Sequence, residues 1–110
     1  MKLLFYVLNQ KDKLDDLVVR LSEVGVSGAT IIPSRGMAKM LYSQDESSFM
    51  TSLRALMDQS SDENCTIFTV VNDEQVAAFR SAVHDVVGDL SQPGGGILFT
   101  LPIDSVEGLK

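Results

Sequence analysis

The groups best suited to chemistry in this chain belong to the backbone. The run Gln92-Pro93-Gly94-Gly95-Gly96 sets three glycines in succession. Lacking Cβ atoms, they let N–H groups converge on an anion, and no side chain blocks a phosphate. The plainer reading of such a run is a connector between a helix and a strand. A second glycine turn, Ser34-Arg35-Gly36-Met37-Ala38-Lys39, places two cations, Arg35 and Lys39, at the end of a strand in an otherwise acidic protein. Alone, they read as a solvated pair. Taken with the first loop, they point to a site for a phosphate or carboxylate.

Side chains of the usual catalytic types are poorly arranged. His84 lies outside the apolar stripe of its helix and faces solvent. Asp15-Asp16 and Asp62-Glu63 are neighbours in sequence only, and adjacent residues on a helix do not face one another. Cys65 is the one cysteine, which rules out an intrachain disulfide and argues for a small core residue rather than a metal ligand. The methionines Met37, Met40, Met50 and Met57 read as flexible packing. No Ser/His/Asp, Cys/His, metal-ligand or Walker pattern is present. The expectation is a protein that is not an enzyme, with no metal and no cofactor.

The elements that position the two glycine turns follow from periodicity. Residues 2–8 read as a strand, and Leu14, Leu17, Val18, Leu21 and Val24 mark one face of a helix over about Lys13 to Val24. Gly25 stops it, and a second strand runs from Ala29 to about Ser34. The later half repeats the plan. Cys65 to Val71 is a strand, Asn72-Asp73 caps a helix, and Val76, Phe79, Val83 and Val86 form its apolar face. Gly88 ends it, and Ile97 to Leu101 is the last strand. The helices superpose at a fixed offset, Leu14 on Val76, Leu17 on Phe79, Leu21 on Val83 and Val24 on Val86.

Two strand–helix–strand halves predict an α+β fold, the ferredoxin-like βαββαβ sandwich, over a single domain of residues 1–110. Right-handed crossovers then put the first and third strands at the centre. LLFYVL and TIFTVV carry apolar residues on both faces, as central strands should, and Pro33 suits an edge. Residues 35–64, about 30 in all, are too many for a hairpin turn. Phe49, Met50, Leu53, Leu56 and Met57 predict an inserted helix over Ser47–Asp58.

Composition narrows the partners. The chain is 45% hydrophobic and 22% charged, with a net charge of −6. An acidic surface repels phosphate backbones, which argues against nucleic acid. No apolar run approaches the length of a membrane span. The opening Met1–Leu8 has no small-residue cleavage site and reads as a strand rather than a leader, so a cytoplasmic location is expected. The strands are apolar on both faces. Leu3, Phe5 and Val7 alternate with Leu4, Tyr6 and Leu8, and Ile97, Phe99 and Leu101 alternate with Leu98 and Thr100. Two helices cover one face, so the other needs a second subunit or the inserted helix folded back upon it.

Gly25-Val26-Ser27-Gly28-Ala29-Thr30 followed by Ser34-Arg35-Gly36-Met37 resembles the first half of the nitrogen-regulatory P-II signalling proteins. There a G-x-x-G-x-T stretch precedes a K/R-G-aromatic turn that opens the effector loop, the T-loop. Gly94 to Asp104 resembles the family's G-D-G-K-I-F-x-x-P-V-E/D phosphate loop and final strand. The resemblance covers most of the chain outside residues 38–64. It implies a cytoplasmic homotrimer that senses an adenine nucleotide or other small anionic metabolite in clefts between subunits and regulates a target enzyme or transporter. By position, Thr30 would meet the base, Gly36 and Ala38 would lie near phosphates, and Gly94 and Gly96 would supply backbone donors; the two turns themselves add Gly95, Arg35 and Lys39 as ligand-binding candidates. The departures are specific. Ile97 replaces the family's phosphate-binding lysine, Ala38 replaces a glycine, arginines after the last strand are missing, and Tyr42 has no equivalence to the family's modified tyrosine. The alternative is a ligand-free structural or protein-interaction trimer of the same fold.

Overall fold

The computed structural model describes residues 1–43 and 63–109. The helix expected over Ser47–Asp58 lies outside them. Strand β1 spans Lys2–Leu8, α1 Leu14–Glu23, β2 Ala29–Arg35, α2 Met37–Ser43, β3 Glu63–Val71, α3 Asp73–Val86 and β4 Ile97–Pro102, with a 3-10 turn at Lys11–Lys13. The sheet order is β2-β3-β1-β4, with every neighbouring pair antiparallel. This is the ferredoxin-like arrangement expected from the two halves, with β1 and β3 central and Pro33 on an edge strand.

Local sequence explains the ends of the helices. Asn72 caps α3 by accepting from the Gln75 N–H at 2.8 Å, while the Gln75 side chain accepts from the Asn72 N–H at 3.0 Å, a reciprocal capping box. At the end of α1, Gly25 takes φ +90°. Val26 N–H then reaches Leu21 O at 2.9 Å and Gly25 N–H reaches Ser22 O at 3.2 Å, the paired bonds that close a helix around a left-handed residue.

Leu4, Tyr6 and Leu8 of β1 and Ile67 and Val71 of β3 face the helices, where they meet Leu17 and Leu21 of α1 and Phe79, Ala82 and Val83 of α3. Cys65 is buried in the same core. Thr69, buried among these groups, donates its hydroxyl to Gly28 O at 3.1 Å, which satisfies it. Arg20 of α1 binds Asp85 of α3 at 3.1 Å and Glu23 at 3.0 Å, an exposed link worth little in stability.

One core assignment differs from the sequence expectation. Val18 is 41% exposed. It lines an open groove with Ile31 and Ala29, because β2 is the edge strand and α1 does not reach across it. A short helix, α2, also stands directly after Gly36, where periodicity gave only a turn.

The other sheet face carries no helix among the described residues. The strand registers align Phe68 with Phe5 and Phe5 with Phe99. The three rings form a row, with Phe5–Phe99 stacked at 5.2 Å and Phe5–Phe68 tilted at 5.7 Å. At one corner the face turns polar. The Ser34 hydroxyl donates to the Asn64 side chain and lies 2.8 Å from the Thr66 hydroxyl, while Asn64 Nδ2 donates to Asn9 Oδ1 at 3.5 Å.

Phe79, fully buried and edge-on to Tyr6 at 6.2 Å, is expected to dominate the core. Phe79→Ala should cost about 3–5 kcal/mol, and Asn72→Ala about 1 kcal/mol through loss of the cap. Urea denaturation measures both, and equal costs would contradict this ranking.

Candidate functional site

The segment from Asp89 to Gly96 is a folded turn, not a slack connector. The Asp89 carboxylate accepts the Ser91 N–H at 2.9 Å, and Gln92 N–H reaches Asp89 O at 3.1 Å. The bond from the Ser91 backbone holds the Asp89 carboxyl below its ordinary value. A cleft of about 290 Å³ lies beside this turn, lined by residues including Arg80, His84, Leu90 and Leu98.

Three contacts then fix the glycines to β1 and the residues that follow it. The Tyr6 hydroxyl donates to Gly95 O at 2.6 Å, in the buried interior. Gln10 Nε2 donates to Gly94 O at 3.2 Å. Gly96 sits so close to β1 that a Cβ built on it would lie 1.9 Å from Val7 O. Gly94 and Gly96 have φ of +86° and +92°, a region that other residues enter only with strain. Of the three amides, that of Gly95 is engaged with Gln92 O at 3.4 Å.

The sheet separates the expected site residues. Arg35 pairs with Glu63 at the end of β2, and Ile97 pairs with Val7 at the start of β4. Both positions lie at the same end of the sheet, but on opposite edge strands. Three strand spacings, roughly 14 Å, divide them. Gly36 follows Arg35 directly, with an added Cβ 3.4 Å from Asn64 Nδ2. Ala38 is exposed in the first turn of α2, and Lys39 falls in the same helix. Thr30 pairs with Phe68 in the middle of the sheet, roughly 16 Å along β2 from Arg35. Gly94, Gly95 and Gly96 therefore form one cluster within a subunit, Arg35, Gly36, Ala38 and Lys39 another, and Thr30 belongs to neither.

Lys11 adds a cation near the same end, bonded to Glu63 at 2.7 Å, and this partner raises its pKa. Tyr6 and Gln10 were not singled out by sequence motifs. A tyrosine on the helix-facing side of a central strand was the available signal, since a buried phenol requires an acceptor. Burial pushes the Tyr6 hydroxyl up from 10.0 to about 12, so it remains a donor at neutral pH.

Two outcomes follow. Gly96→Ala should cost about 2–4 kcal/mol because both space and φ oppose it, whereas Gly94→Ala, with open space around it, should cost about 1 kcal/mol. Denaturant midpoints compare them. The raised Tyr6 pKa stabilises the folded state fully below pH 10.0, and this contribution is lost as pH rises toward about 12, because the unfolded chain releases its proton first. The wild-type minus Tyr6→Phe difference in tyrosinate absorbance should appear near pH 12, and its appearance near pH 10 would contradict the assignment.

Among the described residues, no helix is long and apolar enough to cross a membrane. No curated protein matches the chain. The family model described as nitrogen regulatory protein P-II matches residues 1–110, the whole chain. Proteins of that family are regulatory rather than enzymatic, and they generally form trimers that bind small ligands and partner proteins. Matched from end to end and folded as a ferredoxin-like sandwich with a pinned glycine turn before its last strand, the chain belongs to the nitrogen regulatory protein P-II family.

Proposed function

We propose that this P-II-type regulatory protein acts as a cytoplasmic homotrimer, sensing a small anionic metabolite or adenine nucleotide at clefts between subunits. Occupancy is passed to a target enzyme or transporter through residues 35–64. The observation that carries this reading is the uncovered sheet face. Ile32, Ile97, Phe99 and Leu101 are each at least 40% exposed; Phe99 belongs to the aromatic row around Phe5, and the other three flank it. Burying each such side chain contributes about 1.5–3 kcal/mol, which favours association through this face.

The separation of the two glycine clusters supports placing the ligand between subunits. One chain holds its Gly94–Gly96 cluster and its Arg35–Lys39 cluster on opposite edges, so a small anion touches both only where two chains meet. In this reading Gly94 and Gly96 supply N–H donors, Gly95 shapes the loop, Arg35 and Lys39 supply charge, Gly36 and Ala38 leave room at the loop root, and Thr30 contacts the base.

Ile97 favours a second reading. The residue in the place of the family's lysine is apolar and 59% exposed. A charge-assisted bond there would contribute about 1.5–3 kcal/mol. Its loss supports a trimer that binds partners without a ligand.

Sedimentation should give a trimer, and Phe99→Glu should convert it to a folded monomer by placing a charge on the associating face. A wild-type monomer at micromolar concentration would remove the proposal. Calorimetric titration with ATP, ADP, AMP and cyclic mono- and dinucleotides should give heat with at least one. Silence from all of them, with the trimer intact, would leave the ligand-free reading.

A further inference from the structure

We propose that Tyr6 is the positioning residue of the glycine loop, its buried hydroxyl setting the Gly95–Gly96 peptide so that the Gly96 N–H faces an anion. The inference rests on the reading of this loop as an anion site and identifies how the chain replaces the missing lysine.

The argument runs through a single peptide unit. The Tyr6 hydroxyl holds Gly95 O at 2.6 Å, a good O–H···O distance. None of the described peptide bonds is cis, and in a trans peptide the N–H lies opposite the C=O. Fixing the Gly95 carbonyl toward the core therefore turns the Gly96 N–H away from it. Among the described residues no hydrogen bond of this N–H is found, whereas the Gly95 N–H is engaged with Gln92 O. The orientation is held from the other side as well, because Gly96 lies against Val7 O too closely for any side chain.

Tyr6 has little freedom of its own. It has no exposed surface and packs edge-on to Phe79 with centroids 6.2 Å apart. Gln10, the other anchor, holds Gly94 O from an exposed position at 3.2 Å. The two anchors differ accordingly. Gln10 steadies the mouth of the loop, and Tyr6 fixes the donor. A donor held in place before binding loses less freedom when the ligand arrives, which partly offsets the absence of a cation.

The test uses the ¹⁵N-labelled full chain, with inorganic phosphate as the probe and the Gly96 amide resonance as the readout. Wild type should show a saturable shift of that resonance. Tyr6→Phe should move the resonance before any phosphate is added and weaken the phosphate response roughly three- to tenfold, with circular dichroism and sedimentation unchanged. Replacing Tyr6 by 4-aminophenylalanine restores a donor and should recover the response. Replacement by 4-fluorophenylalanine fills the oxygen's space without donating and should not, and this variant also covers the case in which Tyr6→Phe fails to fold. A Gly96 amide unmoved in both non-donating variants overturns the positioning role, even where wild type binds phosphate. A wild type that ignores phosphate while the variants still move the Gly96 amide overturns the anion reading and supports the positioning role.

Discussion

Alternation along β1 is the constraint from which the rest follows. The strand lies between β3 and β4 and is apolar on both sides. Leu4, Tyr6 and Leu8 go to the helices, and Leu3, Phe5 and Val7 to the other face. Because side chains alternate with a period of two, neither set can be hidden by shifting the strand, since a one-residue slip only exchanges them. Two helices satisfy one set. The other is an obligation placed on something beyond the sandwich. Tyr6 belongs to the satisfied set, yet its hydroxyl is spent on the glycine turn, so one side chain joins the core to the candidate site.

Much of this was legible because it depends on short-range spacing. The stripes Leu14–Leu17–Leu21 and Val76–Phe79–Val83 announced α1 and α3, and Asn72-Asp73 marked a helix start. The central places of β1 and β3 could be read from apolar residues on both faces, and Pro33 betrayed an edge. What was not legible depends on distance in sequence or on edges. The Tyr6–Gly95 bond joins residues 89 apart, and no local pattern encodes it. Val18 fitted the stripe of α1 but lies beside an edge strand that gives it no cover. The helix over Met37–Ser43 sets Met37, Met40 and Leu41 at helical spacing, but its 7 residues are too few for that pattern to separate a helix from a turn, and Met37 and Leu41 are exposed. The three glycines suggested converging amides, whereas the fold turns the Gly95 carbonyl into the core and ties that of Gly94 to Gln10 at the surface.

The chemistry left to the site follows from those carbonyls. A lysine would bring full charge but also a long chain to immobilise. Here Ile97 faces the uncovered side of the sheet opposite Val7, and in the proposed reading the donor is a main-chain amide. Such a group attracts an anion less strongly, and its usefulness depends on how little it must rearrange. Two cations at this end of the sheet are committed or remote. Lys11 is engaged with Glu63, and Arg35 stands on the far edge.

The pairing of β2 with β3 has a topological consequence for everything between them. Arg35 and Glu63 are registered partners, so the chain departs after one and returns at the other across roughly 4.8 Å, with Ser34, Asn64 and Thr66 bonded side by side at that gateway. The excursion is clamped at both feet. Lengthening it costs only about 0.6 kcal/mol per doubling and places no tension on the sandwich. Changes in the length of this segment therefore bear on what it contacts rather than on the stability of the body of the protein.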